Sequence, residues 1–303
     1  HPDPYRAQMA VDLRMHLITL GEGVDTTFFF HLRDGDYGLF YNLTDQFPPF
    51  DATHLSPKPV GAAFAAATRL LEGTRTLGPL DFLGDDILCY TFQRGDQILA
   101  ALWAADAAGS CEEPPRPVRV PVGAESVTFF DPMGNARQIK CENGYATIQV
   151  GAEPVYLLGL APVVAPESTV TLAPGEAIPP EWMAAAPAEW ALFQAGREVP
   201  LQLADGQTRL PLDIGGGEWL LSARQAGTGA WLGGAVIQVQ PPFTLEAGPV
   251  DDTQEVKRVF TVANTSGQAL NGRFEIRAVQ PKNWASQVAE PPLVPEPGVA
   301  SLY

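Results

Sequence analysis

The chain has 303 residues, 46% of them hydrophobic and 18% charged, a balance that marks a globular protein of about two to four domains rather than a disordered one. Acidic groups outnumber basic ones 35 to 19, for a formal net charge of −16. That balance argues against nucleic acid and anionic membrane surfaces as partners, because both need a basic face. No run of about 18 apolar residues is present, so no membrane insertion is expected. Cys89, Cys111 and Cys141 are too few and too scattered for a disulfide framework or a zinc site, and leave one bridge plus a thiol, or three thiols, as alternatives.

The predicted elements begin with "DPYRAQMAVDLRMHLITLGEG". Asp3 suits a helix N-cap and Pro4 the first helical position. Met9, Leu13, Leu17 and Leu20 recur at helical spacing, and Gly21 and Gly23 supply the stop. "FFFHLRDGDYGLF" (28–40) follows as a strand of about seven residues, apolar until it ends on His31, Arg33 and Asp34. After a loop of roughly 20 residues, "SPKPVGAAFAAATRLLEG" predicts a second helix with Val60, Phe64, Ala67 and Leu71 as its buried stripe and Gly73 as its end. Helix, strand and helix are one slice of an α/β structure whose single strand needs a sheet supplied from elsewhere. The opening "HPDPYRAQ", without Met, reads as cut from something longer or processed.

From Thr76 the period changes to two. "ILCYTFQ" and "QILAALWA" flank a hairpin turn at Arg94–Asp96. "PVRVPV", "SVTFFDP", "ARQIKC", "YATIQV" and "PVYLLGL" follow, for about seven or eight short strands in under about 90 residues, as in a β-sandwich. "APVVAPES" reads as a linker. A second β-unit has strands near "TVTLAP", "WALFQA", "TRLPLDI", "EWLLSARQ" and "AVIQVQ". A third starts at Phe243 with "FTLEAG", "VKRVFTVANTS" and "NGRFEIRAV", and reads as truncated. The expected organisation is therefore 1–75, 76–163, 164–241 and 242–303, the last two units Ig-like.

The order of these parts resembles the C-terminal third of clan A glycoside hydrolases, TIM-barrel enzymes whose barrel is followed at once by a small β-sandwich. "QMAVDLRMHLITLGEGVDTTFFFHLRDGDYGLF" is similar to the seventh helix and eighth strand of such a barrel, and "PKPVGAAFAAATRLL" to its eighth helix. "CYTFQRGDQILAALWA", "VTFFDPMGN" and "EPVYLLGL" resemble recurring phrases of the attached sandwich. The fold this implies is mainly β: the tail of a (β/α)8 barrel, helix–strand–helix, followed by two or three β-sandwich domains. The activity it implies is hydrolysis of O-glycosidic bonds in a poly- or oligosaccharide by a secreted or cell-surface enzyme.

The catalytic glutamates of such enzymes lie at the ends of the fourth and seventh strands, which would precede His1. Glycosidic cleavage needs two carboxylates, about 5 Å apart for retention and wider for inversion, so the chain alone is expected to be inactive and to carry no catalytic residue. By resemblance, Phe29, His31 and Arg33 share the strand face toward the barrel axis, and with Asp34 at the strand end form the candidate substrate-binding set. The ring stacks on sugar and the polar groups hydrogen-bond hydroxyls. The alternative is structural pairing with neighbouring strands. Asp34 and Asp36 sit in a Gly-containing turn, where Asp commonly caps backbone N–H groups.

Other features read plainly. His16 lies beside the apolar stripe of its helix as a boundary residue, and His54 has no partner at metal spacing. No metal motif, P-loop, dinucleotide fingerprint or Ser/His/Asp motif occurs, so no cofactor and no metal is expected. "NLT" at Asn42 and "NTS" at Asn264 are glycosylation sequons. Trp182, Trp190, Trp219, Trp231 and Trp284 are read as core residues of sandwiches, or, exposed in a row, as a platform for polysaccharide. Carbohydrate and the remainder of a barrel are the expected partners. The competing readings are a non-catalytic carbohydrate-binding or cell-surface module, and an assembly protein whose apolar first segment docks on another chain.

Overall fold

A computed structural model describes residues 4–29, 38–40, 57–104, 114–162, 169–179, 188–201, 203–204, 207–241, 243–251 and 257–264. The protein is mainly β, with several sheets. Helix α1 spans Pro4–Gly21. It stops where Gly23 turns to φ 87°, and the N–H groups of Glu22, Gly23 and Val24 return to the carbonyls of Ile18, Leu20 and Thr19, satisfying carbonyls that the last turn leaves open. Helix α2 spans Pro59–Leu71, with proline at its first position, where no intrahelical N–H is needed. Its buried residues are Val60, Ala63, Ala67 and Leu70. The stripe is thus turned slightly from the predicted one, and Phe64 and Leu71 stay half-buried at its edge.

Eight strands follow: β1 (Arg75–Pro79), β2 (Ile87–Arg94), β3 (Gln97–Ala104), β4 (Arg116–Pro121), β5 (Ser126–Phe130), β6 (Ala136–Lys140), β7 (Tyr145–Val150) and β8 (Val155–Leu160). They form a six-stranded sheet in the order β1-β2-β3-β8-β5-β6 and a β4-β7 pair. Arg94 pairs with Gln97 across a two-residue turn in which Gly95 takes φ 63°, so the Arg-Gly-Asp stretch is an ordinary hairpin tip. In the Asp131–Asn135 turn the Asp131 carboxylate accepts from the Met133 and Asn135 amides, each at 2.9 Å.

Along β3 the side chains alternate between two cores. Ile98, Ala100, Leu102 and Ala104 face one, closed by β4 and β7 through Val120, Tyr145, Ile148 and Val150. Leu99, Ala101 and Trp103 face the other, closed by α1 and α2 through Met9, Leu13, Leu17, Val60, Ala63 and Ala67. The helix pair is the lid on one face of the sheet.

The next strands are β9 (Val170–Leu172), β10 (Ala188–Gln194), β11 (Arg197–Pro200), β12 (Leu203–Ala204), β13 (Gln207–Thr208), β14 (Gly217–Gln225) and β15 (Trp231–Val239). Five of them form a sheet in the order β11-β10-β14-β15-β9, with β9 parallel to β15. "TRLPLDI", expected as a strand, keeps only Thr208 in one, because Pro211 opens a turn after Leu210. Strands β10 and β14 also alternate. Trp190, Leu192, Trp219 and Leu221 fill this sheet's own core, whereas Phe193 and Leu220 join Val236 in the core of the first sandwich. Strands β16 (Phe243–Asp251) and β17 (Lys257–Asn264) form an antiparallel hairpin.

Candidate functional site

Helix α1 is fixed to the sandwich before it meets anything else. The Arg14 guanidinium donates to the Ala152 carbonyl at 2.8 Å and to the Ala104 carbonyl at 3.3 Å. At the helix end the Tyr90 hydroxyl donates to Glu22 Oε1 at 2.9 Å, and Thr76 Oγ1 donates to the Gly21 carbonyl at 2.9 Å. Burial first, and then the Glu22 carboxylate beside it, push the Tyr90 phenol up to about 12. Gly21 is required here because the Tyr90 ring occupies the space a Cβ would take.

Beyond this anchor, α1, residues 22–29 and α2 enclose a cleft of about 330 Å³. Leu13, Leu17, Leu20, Phe64, Ala67 and Leu71 supply its apolar lining, and Asp25, Thr26, Thr68 and Glu72 are its exposed polar residues. His16 lines it too, although only 5% exposed. Its Nδ1 lies 2.7 Å from Thr27 Oγ1, while Nε2 is buried with no partner among the described residues. The imidazole stacks on Phe29, with centroids 5.8 Å apart, and tilts against Phe64 at 5.1 Å. Burial lowers its pKa below the ordinary histidine value, since removing an imidazolium from water disfavours it.

A group of polar side chains lies at the other end of the helix pair. Lys58 is 1% exposed, with Nζ 5.7 Å from the centroid of the Tyr5 ring. Burial pushes the Asp12 carboxyl up, against the Gln8 hydrogen bond and the Lys58 charge, which pull it down. Lys58 donates its backbone N–H to the Leu39 carbonyl at 2.8 Å, and Phe40 bridges Pro57. The two stems of the 41–56 connection are thereby joined at the start of α2.

Of the predicted substrate-binding residues, His31, Arg33 and Asp34 lie outside the described residues, as do Asp36 and His54. Phe29 is described. Its ring is half-buried against the helix pair, 5.6 Å from Phe64, whereas Phe28 beside it is 85% exposed. Trp190 and Trp219 are core residues and Trp231 is half-buried; Trp182 and Trp284 lie outside the described residues. Cys89 and Cys141 are free, buried thiols. Among the described residues no cluster of histidine, cysteine or carboxylate could hold a metal ion, and no helix is long and apolar enough to cross a membrane.

Two residues went unrecognised in the sequence. His16, read as a boundary residue, is buried, because Phe64 and Phe29 close over it from two other elements. Lys58 stands beside a proline that only marks the helix start. Its burial has no local signal.

No protein-family model and no curated protein sequence matches the chain. Among solved structures it is similar to a family 39 glycoside hydrolase from the gut symbiont Bacteroides cellulosilyticus WH2, with a TM-score of 0.36 and 19% identity, covering 50% of this chain and 30% of that one. It is also similar to a GH30 endoxylanase from Clostridium papyrosolvens C71, with a TM-score of 0.28 and 10% identity over 35% of this chain and 28% of the other. A gamma-CGTase from an alkalophilic Bacillus clarkii gives a TM-score of 0.24 and 10% identity over 62% and 30%. The chain thus spans less than a third of the length of each of these structures.

Proposed function

We propose that the chain is the C-terminal part of a glycoside hydrolase acting on O-glycosidic bonds of a poly- or oligosaccharide. Residues 1–75 are then the last helix–strand–helix of a (β/α)8 barrel, 76–163 its attached sandwich, and 164–241 and 242–303 accessory Ig-like units of an exported protein. The catalytic carboxylates lie upstream, and Phe29, His31, Arg33 and Asp34 contribute to the sugar-binding rim.

The observation that carries this reading is α1. Met9, Leu13 and Leu17 are buried on the sheet, yet Val11, Met15 and Ile18 on the opposite side are 51%, 51% and 36% exposed. A helix apolar on both sides belongs inside a larger layer of helices. The order helix, long connection, helix, sandwich supports the same assignment. Burial of Trp190 and Trp219 weighs against the alternative of a sugar-binding module built on tryptophans of the second β-unit.

The test is turnover. The chain alone is expected to leave aryl glycosides uncleaved. Turnover above buffer that disappears on changing a residue within the chain overturns the upstream placement. In the parent polypeptide, His31→Ala is expected to lose about 2–4 kcal/mol of transition-state stabilisation with the melting temperature unchanged. A lower melting temperature with unchanged turnover per folded molecule assigns His31 a structural role instead. Phe29→Leu separates packing from stacking: lost packing on His16 and Phe64 lowers stability, and lost sugar stacking lowers turnover per folded molecule.

A further inference from the structure

We propose that His16 is a pH-sensitive latch, which holds residues 25–29 against α1 and α2 while its imidazole is neutral and releases them when the ring takes up a second proton. Three observations combine. Among the described residues, the His16–Thr27 contact is the one hydrogen bond made by residues 25–29. The ring is also the packing surface for Phe29, so hydrogen bond and stacking hold the same short segment through one side chain. And Nε2, in its buried position, has no partner among the described residues.

The neutral ring tolerates this arrangement in either tautomer. If Nδ1 accepts from the Thr27 hydroxyl, Nε2 carries the proton; if Nδ1 donates, Nε2 keeps a lone pair. Protonation from solvent leaves an N–H on both nitrogens and a full charge between two phenylalanine rings, with one donor unmet. The charged groups on the surrounding elements are few. Asp25 from the 22–29 segment and Glu72 from the end of α2 line the same cleft, both exposed. Asp12 lies one turn earlier on α1 and is engaged by Gln8 and Lys58. The imidazolium therefore gains by turning out of its aromatic slot toward the cleft, which is open to solvent and carries the exposed carboxylates of Asp25 and Glu72 in its lining. Turning out breaks the Thr27 contact and withdraws the face on which Phe29 rests. The direction of the His16 shift agrees with this, since the packed state favours the neutral ring.

The test is a pH titration of the full chain from about pH 7.5 to about pH 5, read by NMR on the Thr27 and Phe29 side chains, with Ile98 and Leu102 of β3 as the reference. The Thr27 and Phe29 signals are expected to shift toward free-chain positions at the lower pH while the β3 signals stay. In His16→Phe, which keeps a ring in the slot but cannot titrate, they are expected to be the same at both pH values. No shift in the wild type overturns the proposal, and so does an equal shift in the variant. If His16→Phe does not fold, the imidazole resonances of wild-type His16 decide. Their midpoint must lie below that of an exposed histidine and coincide with the shift of the Phe29 ring signals. Separate midpoints overturn the latch.

Discussion

The two faces of the six-stranded sheet are closed in different ways. The face toward β4 and β7 is aliphatic, with Ile98, Leu102, Val127 and Leu157, and it is sealed a second time where Phe193, Leu220 and Val236 arrive from the neighbouring sheet. The opposite face is aromatic, with Tyr90, Phe92, Trp103 and Tyr156, and among the described residues is covered mainly by α1 and α2, whose cover is itself apolar on the outside. The first face is closed on both sides by strands. The second is closed by a layer that has a further surface to bury. The polar contacts agree. Between the two β-modules, Glu218 Oε1 accepts from the Asp81 and Phe82 amides at 2.8 and 3.2 Å, Ala195 N–H donates to the Phe82 carbonyl at 2.8 Å, and Glu198 pairs with both Arg119 and Arg224. Under the helices, Arg14 is the principal side chain reaching the sandwich backbone. The strand-closed core is sealed from two sheets, whereas the helix layer keeps Val11, Met15 and Ile18 exposed on its outer side.

The sharpest way to break this comparison is Trp103→Ala. It deletes the largest fully buried side chain of the aromatic face, and is expected to cost about 3–5 kcal/mol, measured by denaturant unfolding, with early loss of helical signal. Unaltered helix content through the transition would show that the helices do not depend on that face. Leu220→Ala removes a buried contact between the two β-modules and is expected to cost about 2–4 kcal/mol. Because Leu220 lies in the first sandwich's core, both modules are expected to lose stability together in exchange measurements. Loss confined to residues 169–239 would mean that the shared core is not cooperative.

Smaller effects sharpen the picture. Gly144 has φ 81°, and a Cβ there would meet the Trp231 ring, so Gly144→Ala is expected to cost about 1–3 kcal/mol and to shift tryptophan fluorescence. His16 adds a pH dependence of known sign. Its folded pKa is depressed, so its contribution is complete above about pH 6.5 and is lost as pH falls through that value toward the folded pKa. An equilibrium unfolding series across this window is expected to show stability rising with pH, with a shallower rise in His16→Phe. Met15→Gln, on the outward face of α1, is expected to change the stability of the isolated chain by no more than about 0.5 kcal/mol. The same change in the parent protein is expected to cost more. Equal effects in the two would remove the argument that this face is covered there.

The elements were legible wherever one local signal sufficed. Pro4 and Gly23 bound α1, Pro59 and Gly73 bound α2, the Gly95 turn sets the β2–β3 hairpin, and the Asn143–Gly144 turn carries the chain from β6 to β7 in the other pair. Most strands of the first sandwich fell where period two placed them. The layering was not legible. "QILAALWA" reads as one apolar run because β3 is buried on both faces, and no sequence rule assigns Trp103 to helices and Leu102 to strands. Phe193 and Leu220 sit in strands that look like those of a self-contained unit, yet they belong to another sheet's core. At the candidate site, Phe29 was singled out for a sugar-facing role, and nothing in its local sequence marks the packing its ring makes on His16 and Phe64. The burial of His16 and Lys58 was not legible either, because burial by a distant element leaves no mark on the residues themselves.

The double-sided burial of β3 also sets an order for synthesis. Helix α1 leaves the ribosome before the sheet it packs on: that platform contains Tyr156 on β8, made about 140 residues later, or roughly 10–30 s at ordinary elongation rates. During that interval a helix apolar on both sides is exposed in the nascent chain. It is a natural binding site for a chaperone, and the stretch most exposed to off-pathway association until the sheet closes beneath it.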